Sequence, residues 1–386
     1  MRNIKRVIIV GGGMAGLTLS LTMKKRGIES VVYEQYDHQQ RLDTGLLLWG
    51  FATNRLRDLG VDMDKAGRFL ENIEIYGAKN ECVATLPVGQ VSREHGTGSY
   101  EINRRRLIEL MGHLAGDSLR AGHRCVSTHT DGNTAVAVFE DGSTVEGDLL
   151  IGCDGAHSVV RKSLYPDVEL EKANGGGWGA VLPFHPPGLK EACHLDFWQP
   201  GTKCGMADIG NGECRWYVNM REGGPSSESR NKESALAAPK DPHPALVEAI
   251  ESTDDRLIWI TDQTYLKPLP SWHKGRVMLV GDAAHASTSH AAMGACTAIT
   301  DAFELGHMVA SDKSAEEIMQ TFEDERKPIA DEVLKKSKSG LSMSASNSRI
   351  WAWFRDMAFR HMPEKQAKEI AEKMVLAQES DKDSAH

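Results

Sequence analysis

The chain has 386 residues, which is enough for two domains that each bury an apolar core. Hydrophobic residues make up 40% of it and charged residues 26%, proportions that are typical of a globular protein and exclude a disordered or fibrous one. The formal net charge of -9, without a long run of Lys or Arg, predicts no nucleic-acid partner.

The seven cysteines are scattered, without a CxxC pair or a Cys/His zinc spacing, so we expect free thiols and no metal site. Their odd number, and an N-terminus that leads into a strand and not into a signal sequence, favour a reducing cytoplasm. No apolar run approaches the roughly 20 residues of a membrane span. The expectation is a cytoplasmic protein that is not integrated into a membrane.

The first elements are a strand, a turn, a helix and a second strand. Ile4 to Val10 is mostly apolar, Ala15 to Arg26 has the pattern of a helix that ends at Gly27, and Val31 to Tyr33 indicates a buried strand. This order predicts a βαβ unit.

The turn of this unit carries the spacing GxGxxG. The glycines are Gly11, Gly13 and Gly16, with Met14 and Ala15 at the start of the helix. The first glycine makes the turn, the second lets the backbone approach a pyrophosphate, and the third permits close packing of helix and strand. Glu34, at the end of the second strand, is placed to accept hydrogen bonds from ribose hydroxyls. The unit is therefore predicted to bind a dinucleotide at the helix N-terminus.

The middle of the chain alternates between short strands and helices. Asn72 to Leu86 has alternating apolar residues, Arg104 to Ala115 indicates a helix, and Ala135 to Glu146 predicts a hairpin that turns at Asp141-Gly142. Residues 175–220 are rich in β-formers, which predicts a mostly antiparallel sheet. A helix over Ala245 to Glu251 and a strand over Leu257 to Ile260 are expected to follow, and these segments suggest a second domain.

The tail from Ile350 onward is predicted to be helical and amphipathic. Its apolar face holds Ile350, Trp351, Phe354, Met357, Ala358 and Met362. We expect this face to pack on the body of the protein, with contact to a membrane surface or a partner as the alternative.

Two further motifs follow apolar runs. Asp154 to Arg161 has the pattern DGxxSxxR, which by itself indicates only a turn and a capped helix. Gly281 to His285 has the sequence GDAAH, in which an aspartate at the end of a strand can hold a ribityl hydroxyl. The helix that begins at Gly294 can then present backbone N–H groups to the edge of a flavin ring.

In order and spacing, the three motifs resemble those of the class A flavoprotein monooxygenases, the para-hydroxybenzoate hydroxylase-like family. The resemblance covers roughly residues 4 to 340. It implies an α/β fold, with a Rossmann-type FAD/NAD(P)-binding domain, an inserted, mostly antiparallel β-sheet substrate domain and a C-terminal helical segment. The expected boundaries are 1–72, 98–172 and 265–345 for the FAD-binding domain, 73–97 and 173–264 for the substrate domain, and 346–386 for the C-terminal helices.

The resemblance also implies roles for single residues. Beyond the first glycine motif, the expected FAD contacts are Gly45, Leu46, Arg104, Asp154, Gly281, Asp282, Gly294 and Ala295. For Arg104 the alternative is a solvated charge on a helix. Asp301 matches an acid that follows the flavin loop in the family and is expected to be structural.

The chain departs from the family pattern after GDAAH. Where the family carries a Pro and then Gly-Gln-Gly, this chain has Ser289 and then Ala292-Met293-Gly294. We expect FAD binding to persist, with Met293 covering the edge of the ring and lining the substrate pocket. His290 in the same loop is a candidate acid/base, although a histidine that only lines the loop is the simpler interpretation. Trp178 and Trp216 are candidates for the wall of the substrate pocket or, equally, for core packing.

The reaction that the resemblance implies begins with reduction of FAD by transiently bound NADH or NADPH. O2 then adds at flavin C4a to give the hydroperoxide, and one oxygen passes to an aromatic or polyketide-like small molecule. The alternatives are a flavin-dependent reductase or dehydrogenase of the same fold without oxygen transfer, and a non-catalytic FAD-binding protein. A monomer and a homodimer are both open.

Overall fold

The structure is a computed structural model that describes residues 4–36, 43–288 and 292–378, with the backbone alone for 338–342. Its mixed α/β architecture confirms the predicted fold class. Two large sheets and two small ones make up the β structure of these residues.

The first large sheet has six strands and is parallel except at one edge, where residues 273–274 pair antiparallel with the next strand. Its first strand lies in the middle, with Val7 opposite Leu149 on one side and Ser30 on the other. The strands in spatial order are β18 (His273–Lys274), β19 (Val277–Leu279), β12 (Leu149–Gly152), β1 (Arg6–Val10), β2 (Glu29–Tyr33) and β8 (Leu119–Arg120).

The carboxyl ends of four of these parallel strands meet at one edge of the sheet. The segments that leave this edge start at Gly11 after β1, Glu34 after β2, Cys153 after β12 and Val280 after β19. All the motifs that the sequence singles out follow these four ends directly. In open α/β sheets this edge is where ligands bind.

The second large sheet has seven strands and is antiparallel apart from the β14–β5 pair. Its strands in spatial order are β17 (Trp259–Tyr265), β13 (Glu171–Leu182), β16 (Glu213–Met220), β15 (Thr202–Gly210), β14 (Cys193–Gln199), β5 (Asn72–Tyr76) and β6 (Cys82–Leu86). Residues 255–257 form a short 3-10 helix, so the strand predicted at Leu257 to Ile260 starts later, at Trp259.

The two small sheets have three strands each. One contains the hairpin that turns at Asp141-Gly142, as the sequence predicts, and consists of β11 (Thr144–Gly147), β10 (Thr134–Phe139) and β9 (Cys125–Asp131). The other lies against the seven-stranded sheet and consists of β3 (Gly45–Leu48), β7 (Tyr100–Asn103) and β4 (Gly67–Phe69).

The helices cover the faces of these sheets. Their bounds are α1 (Met14–Lys25), α2 (Gly50–Asp58), α3 (Met63–Ala66), α4 (Val88–Glu94), α5 (Arg104–Ala115), α6 (Val159–Leu164), α7 (Lys232–Ala237), α8 (Pro244–Glu251), α9 (Asp282–His285), α10 (Gly294–Val309), α11 (Ala315–Ser344), α12 (Arg349–Arg360) and α13 (Glu364–Val375). Helix α1 packs on both α5 and α10, so the glycine turn lies beside the element that follows GDAAH. None of the helices in the described ranges combines the length and hydropathy of a membrane span.

The C-terminal helices correct one expectation. Helix α12 packs on β6, but it turns Ala352 and Arg355 inward, while Ile350, Trp351 and Phe354 on its predicted apolar face are exposed. The tail therefore contacts the body through the opposite face of the helix. Of the apolar residues that the sequence assigned to packing, those within α12 remain at the surface, whereas Met362, just after the helix, packs against the core.

Candidate active site

The glycine turn between β1 and α1 has the geometry that each glycine position requires. Gly11 has a φ of 105°, and a Cβ there would collide with the Cys153 carbonyl group. A Cβ on Gly16 would collide with the Gly11 carbonyl oxygen. Gly13 differs, because its backbone is extended (φ −80°) and a Cβ there would meet no atom within 4 Å. The turn is thus closed around Gly11 and Gly16 and open in front of Gly13.

Glu34 lies at the carboxyl end of β2, beside this turn. Its Oε2 accepts a hydrogen bond from the Gly12 N–H at 2.7 Å and its Oε1 accepts one from the Tyr36 N–H at 2.9 Å. These bonds fix the carboxylate next to the start of α1. The side chain is therefore held where the sequence predicts a partner for ribose.

Asp282 of the GDAAH motif is the first residue of the short helix α9. The residue is accessible to solvent, yet protein groups surround it closely enough that burial raises the pKa of its carboxyl. The charges of His285 and Arg104 oppose that shift. Arg104 and Asp282, which are remote in sequence, are thus electrostatically coupled, and Arg104 is not an isolated surface charge.

The DGxxSxxR motif performs two structural tasks. Asp154 accepts hydrogen bonds from the Ser158 hydroxyl at 2.6 Å and from the Val159 N–H at 2.7 Å, which caps helix α6. The buried Arg161 donates to the Ala283 carbonyl oxygen at 3.1 Å and so ties this motif to GDAAH. The capped helix that the motif alone suggests is present, and it connects two of the three motifs.

Asp301 in α10 lies at the centre of a buried polar network. Its Oδ1 accepts from Arg326 Nε and its Oδ2 lies next to His285 Nε2, both at 2.6 Å. Arg326 also donates to Gln378 Oε1 at 2.8 Å, and Gln378 donates to the Thr297 hydroxyl at 2.8 Å. Burial alone would raise the pKa of Asp301, but the Arg326 charge and the His285 hydrogen bond lower it. This network joins His285 of the GDAAH motif and helix α10 to α11 and to Gln378, in keeping with the structural role expected of Asp301.

The altered loop is described only in part. Ser289 and the candidate acid/base His290 lie outside the described residues. Met293 precedes α10, is half-buried and packs against the core around α2 and α5. Gly294 and Ala295 open α10, and among the described residues the N-cap Met293 makes no side-chain capping hydrogen bond. The N–H groups at a helix N-terminus favour an anionic or polar ligand.

Gly45 and Leu46 in β3 lie against the seven-stranded sheet. A Cβ on Gly45 would collide with the Arg215 side chain, so the strand reaches this sheet without any intervening layer. The face of the sheet that β3 approaches also carries His194 and Tyr217. We call this face, defined by His194, Arg215 and Tyr217, the inner face.

The side chains of the inner face form a buried polar network with Glu101 and Asp196. Glu101 of β7 is fully buried; its Oε2 accepts from Arg215 Nε at 2.7 Å and its Oε1 lies 2.6 Å from His194 Nδ1. His194 Nε2 lies 3.2 Å from the Tyr217 hydroxyl, which donates to Asp196 at 2.9 Å. Burial, with the Asp196 charge next, raises the pKa of Tyr217 well above its usual value, so this phenol stays protonated.

The sequence motifs did not indicate most of this network. For Trp178 and Trp216, the structure shows the core position that the sequence left open as an alternative to the pocket wall. Trp178 and Trp216 lie on the other side of the sheet, in the core that α8 covers, and the Trp216 ring N–H donates to the Thr253 hydroxyl. The useful signal was alternation in β14, where His194, Asp196 and Trp198 interleave with apolar residues. Polar groups at every second position of a buried strand mark a face with its own partners.

Glu101 makes acid stability a test of the network. Burial alone would raise its pKa, but the charges of Arg215 and His194 lower it from 4.5 to about 2. A depressed pKa means that this carboxylate stabilises the fold above pH 4.5 and loses its contribution as the pH falls toward 2. We expect the difference in Tm between the wild type and Glu101→Gln to be largest above pH 4.5 and to narrow below it. Thermal unfolding across this range measures the difference, and a constant difference would contradict the assignment.

The motifs at the carboxyl edge fit FAD. The open space before Gly13 and the uncapped α1 N-terminus suit a pyrophosphate, and the held Glu34 suits the adenosine ribose. The accessible Asp282 and the uncapped start of α10 suit a ribityl chain and a flavin edge. The site thus offers N–H groups to the anionic pyrophosphate of FAD, and it offers carboxylates to the hydroxyls of the ribose and the ribityl chain.

Comparison with known proteins agrees with this geometry. The profile of the family described as "FAD binding domain" matches residues 5–337. The chain is 30% identical over 309 residues to the aurachin C monooxygenase/isomerase of Stigmatella aurantiaca, covering 79% of this chain and 80% of that one. It is 29% identical over 334 residues to the 3-hydroxybenzoate 6-hydroxylase of Klebsiella oxytoca, covering 80% and 81%.

The chain spans about half the length of another group of relatives, the plant zeaxanthin epoxidases. It is 28% identical to the chloroplastic enzyme of Oryza sativa over 78% of this chain and 48% of that one. Among solved structures, Klebsiella pneumoniae HpxO complexed with FAD and uric acid superposes with a TM-score of 0.88, covers 98% of both chains and is 20% identical. That similarity shows the fold.

The profile match covers most of the chain, and the first of these relatives reaches 30% identity over four fifths of it. The chain therefore belongs to the FAD binding domain family and is a member of the class A flavin-dependent monooxygenases, which confirms the resemblance seen in its motifs.

Proposed function

We propose that this monooxygenase uses NADH or NADPH and O2 to hydroxylate an aromatic small molecule. The observation that carries the proposal is the approach of β3 to the inner face. Strand β3, which lies beside the predicted flavin site, contacts Arg215 and thereby the polar network around Glu101. The names of the relatives support the substrate class, since 3-hydroxybenzoate and uric acid are planar conjugated compounds.

Most of the cofactor contacts predicted from the sequence are kept in this proposal, with Asp154 reassigned to a supporting role. The N-terminus of α1 with Gly11, Gly13, Met14, Ala15 and Gly16 holds the pyrophosphate, and Glu34 holds the ribose. Asp282, with Arg104 beside it, holds the ribityl chain, and Gly294 and Ala295 present N–H groups to the flavin edge. Bound FAD accepts electrons from the nicotinamide and activates O2. Asp154 contributes by capping α6, which supports the GDAAH segment through Arg161.

The same proposal divides the chain into two domains at the predicted boundaries. The strands of the six-stranded sheet support residues 1–72, 98–172 and 265–345 as the FAD-binding domain. The seven-stranded sheet supports 73–97 and 173–264 as the substrate domain, with 346–386 as a C-terminal unit. The substrate then lies between the carboxyl edge of the first sheet and the inner face of the second.

On the inner face, Arg215 and Tyr217 are the groups that can orient a substrate. Arg215 supplies a cation held by Glu101, and Tyr217 supplies a phenol oxygen that can accept a hydrogen bond from a substrate while its own hydrogen is donated to Asp196. Gly179 and Gly205 are the neighbours of Tyr217 on adjacent strands; the Tyr217 ring lies over Gly205, where a Cβ would collide with it, and the Trp259 ring lies over Gly179. Closure of this face against the flavin excludes water from the reacting atoms.

The first test measures oxygen transfer directly. FAD-loaded protein is mixed with NADH or NADPH, isotopically labelled O2 and a panel of aromatic acids, phenols and purines that includes 3-hydroxybenzoate and uric acid. We expect one compound to accelerate nicotinamide oxidation and to gain one labelled oxygen atom. Acceleration without label in any product would instead support a reductase of the same fold.

Tyr217→Phe then tests the inner face. Loss of the phenol should lower kcat/KM by roughly 10- to 100-fold, the range of a single orienting hydrogen bond, with FAD content unchanged. Tyr165→Phe is the matched control, because the Tyr165 hydroxyl donates to the Ser271 carbonyl oxygen in another part of the molecule. Equal activity in both variants would place the substrate elsewhere.

A further inference from the structure

Helix α12 carries a concentrated group of exposed apolar side chains. The exposed fractions are 72% for Ile350, 49% for Trp351, 52% for Trp353, 58% for Phe354 and 38% for Met357. We call these five residues the α12 patch. At roughly 200 Å² for each fully exposed side chain, these fractions give the patch about 540 Å² of exposed surface. A contiguous apolar area of that size usually marks a surface with a function.

The charged residues of α12 differ between its inward and outward sides. Its single acid, Asp356, is turned inward, where it accepts from Arg355 at 2.6 Å and from the Ala78 N–H at 2.7 Å. Arg349 and Arg360, at the two ends of the helix, are exposed. Arg360 pairs with Glu81, and Lys79 and Lys240 lie along the adjoining groove. The outward side of α12 therefore combines an apolar stripe with the exposed Arg349 at its start, beside a groove in which Lys79 and Lys240 outnumber Asp241 once Arg360 is paired with Glu81.

This arrangement argues against self-association through the patch. In a two-fold dimer the helix pairs with its own copy. Parallel pairing would bring the two exposed Arg349 side chains together across the interface, whereas Arg360 is already paired with Glu81. The exposed area is also below the roughly 800 Å² per partner of a stable protein interface.

A lipid surface with anionic headgroups matches each of these features. Helices that lie in the membrane interface insert a face of Trp, Phe and aliphatic residues and keep basic residues at the headgroups. Tryptophan is favoured at that depth because its ring is apolar and its N–H is polar. The chain as a whole carries a charge of -9, and Arg355 and Arg360 are paired with Asp356 and Glu81, so the attraction rests on the exposed Arg349, Lys79 and Lys240 beside the patch.

We propose that α12 docks this protein on anionic membrane surfaces by inserting the α12 patch into the lipid interface. The inward side of the helix is fixed for this task. The Arg355 guanidinium lies over the Trp198 ring at 5.4 Å and donates to the Trp198 carbonyl oxygen at 2.9 Å. Trp198 belongs to β14 and donates to Asp196 of the inner-face network. The docking helix is thus anchored to the sheet on which the substrate is proposed to lie.

The experiment is vesicle flotation of the full FAD-loaded chain. Vesicles of phosphatidylcholine, with and without phosphatidylglycerol, are compared at low and high salt. We expect binding to the anionic vesicles, weaker binding at high salt, and little binding to phosphatidylcholine alone. The variant Trp353→Glu/Phe354→Glu should bind at least about 10-fold more weakly, because two charges replace inserted rings. Its FAD content and Tm should match the wild type, since both side chains are exposed.

Phe184→Glu is the matched control, because it places a charge at an exposed aromatic residue outside the α12 patch. It should float like the wild type. Absence of binding by the wild type, or unchanged binding by the double variant, would overturn the proposal. A wild type that sediments as a dimer while the double variant sediments as a monomer would also overturn it, by assigning the patch to self-association.

Discussion

Gly13→Val should yield a folded chain that no longer retains FAD, with a Kd for FAD at least about 100-fold higher than that of the wild type. The backbone at Gly13 is extended and a Cβ there meets no atom within 4 Å, so valine fits the fold. Its methyl groups occupy the space before α1 through which a pyrophosphate must approach the helix N-terminus. The variant therefore separates cofactor binding from folding.

Two measurements check this expectation. Fluorescence titration of the apo-protein gives the FAD affinity, and urea unfolding of the apo-protein should show a loss of no more than about 1 kcal/mol, the effect of a poorer N-cap. Gly13→Ala, with one methyl group, should give an intermediate affinity. Gly16→Ala is unsuitable for this purpose, because its Cβ collides with the Gly11 carbonyl oxygen and disturbs the turn itself. If Gly13→Val binds FAD with wild-type affinity, the pyrophosphate does not bind at this turn and the prediction is wrong.

Asp301→Ala should lower the free energy of unfolding by about 3–5 kcal/mol, because it leaves the buried Arg326 cation without its counter-ion. The Asp301 carboxylate is fully buried and accepts from Arg326 at 2.6 Å. Adding Arg326→Met to this variant removes the orphaned charge, so the double variant should be more stable than Asp301→Ala alone. Urea unfolding of the FAD-loaded proteins at neutral pH measures both effects.

An exposed ion pair in the same region supplies the control. Glu332 and Lys336 lie one turn apart on α11, and both side chains are more than half exposed. Glu332→Ala should cost no more than about 0.5 kcal/mol, as is usual for a solvated pair. Similar losses in Glu332→Ala and Asp301→Ala would show that the Asp301 network contributes little beyond a surface contact.

The parts of this fold that the sequence predicted are those with local signals. The βαβ unit follows from an apolar run, a glycine turn and a helix of ordinary length, and the hairpin follows from one Asp-Gly turn. The helix over Arg104 to Ala115 was also predicted with its observed bounds. In each case the signal and the structure lie within a few residues of one another.

The parts that escaped prediction depend on which neighbours cover a surface. Trp216 and Tyr217 are adjacent in β16 and point to opposite faces, and both are buried. Period-2 alternation separates the two faces, but it cannot say which one receives α8 and which one receives β3 and β7. Glu101 and Arg215 come together from strands that lie far apart in sequence, so neither flanking segment signals the pair.

Helix α12 shows the same limit of sequence patterns. Its apolar periodicity was read correctly, but periodicity predicts an apolar face and not what covers it. Ala352 and Arg355 are the residues of α12 that face the body, where the helix packs on β6 and Arg355 donates to the Trp198 carbonyl oxygen. The apolar face then had to point outward.

The position of β1 in the middle of its sheet bears on how the protein is made. Strand β1 emerges from the ribosome before the other strands of its sheet, yet its partner β12 follows more than a hundred residues later, and β19 completes the pairing only at Val277–Leu279. Until then the nascent chain exposes unpaired edges that invite aggregation. Folding of the nucleotide-binding half is therefore late in synthesis and slow for its size, since most of its pairings are remote. A chaperone that shields β1 and β12 during that interval would raise the yield of active protein.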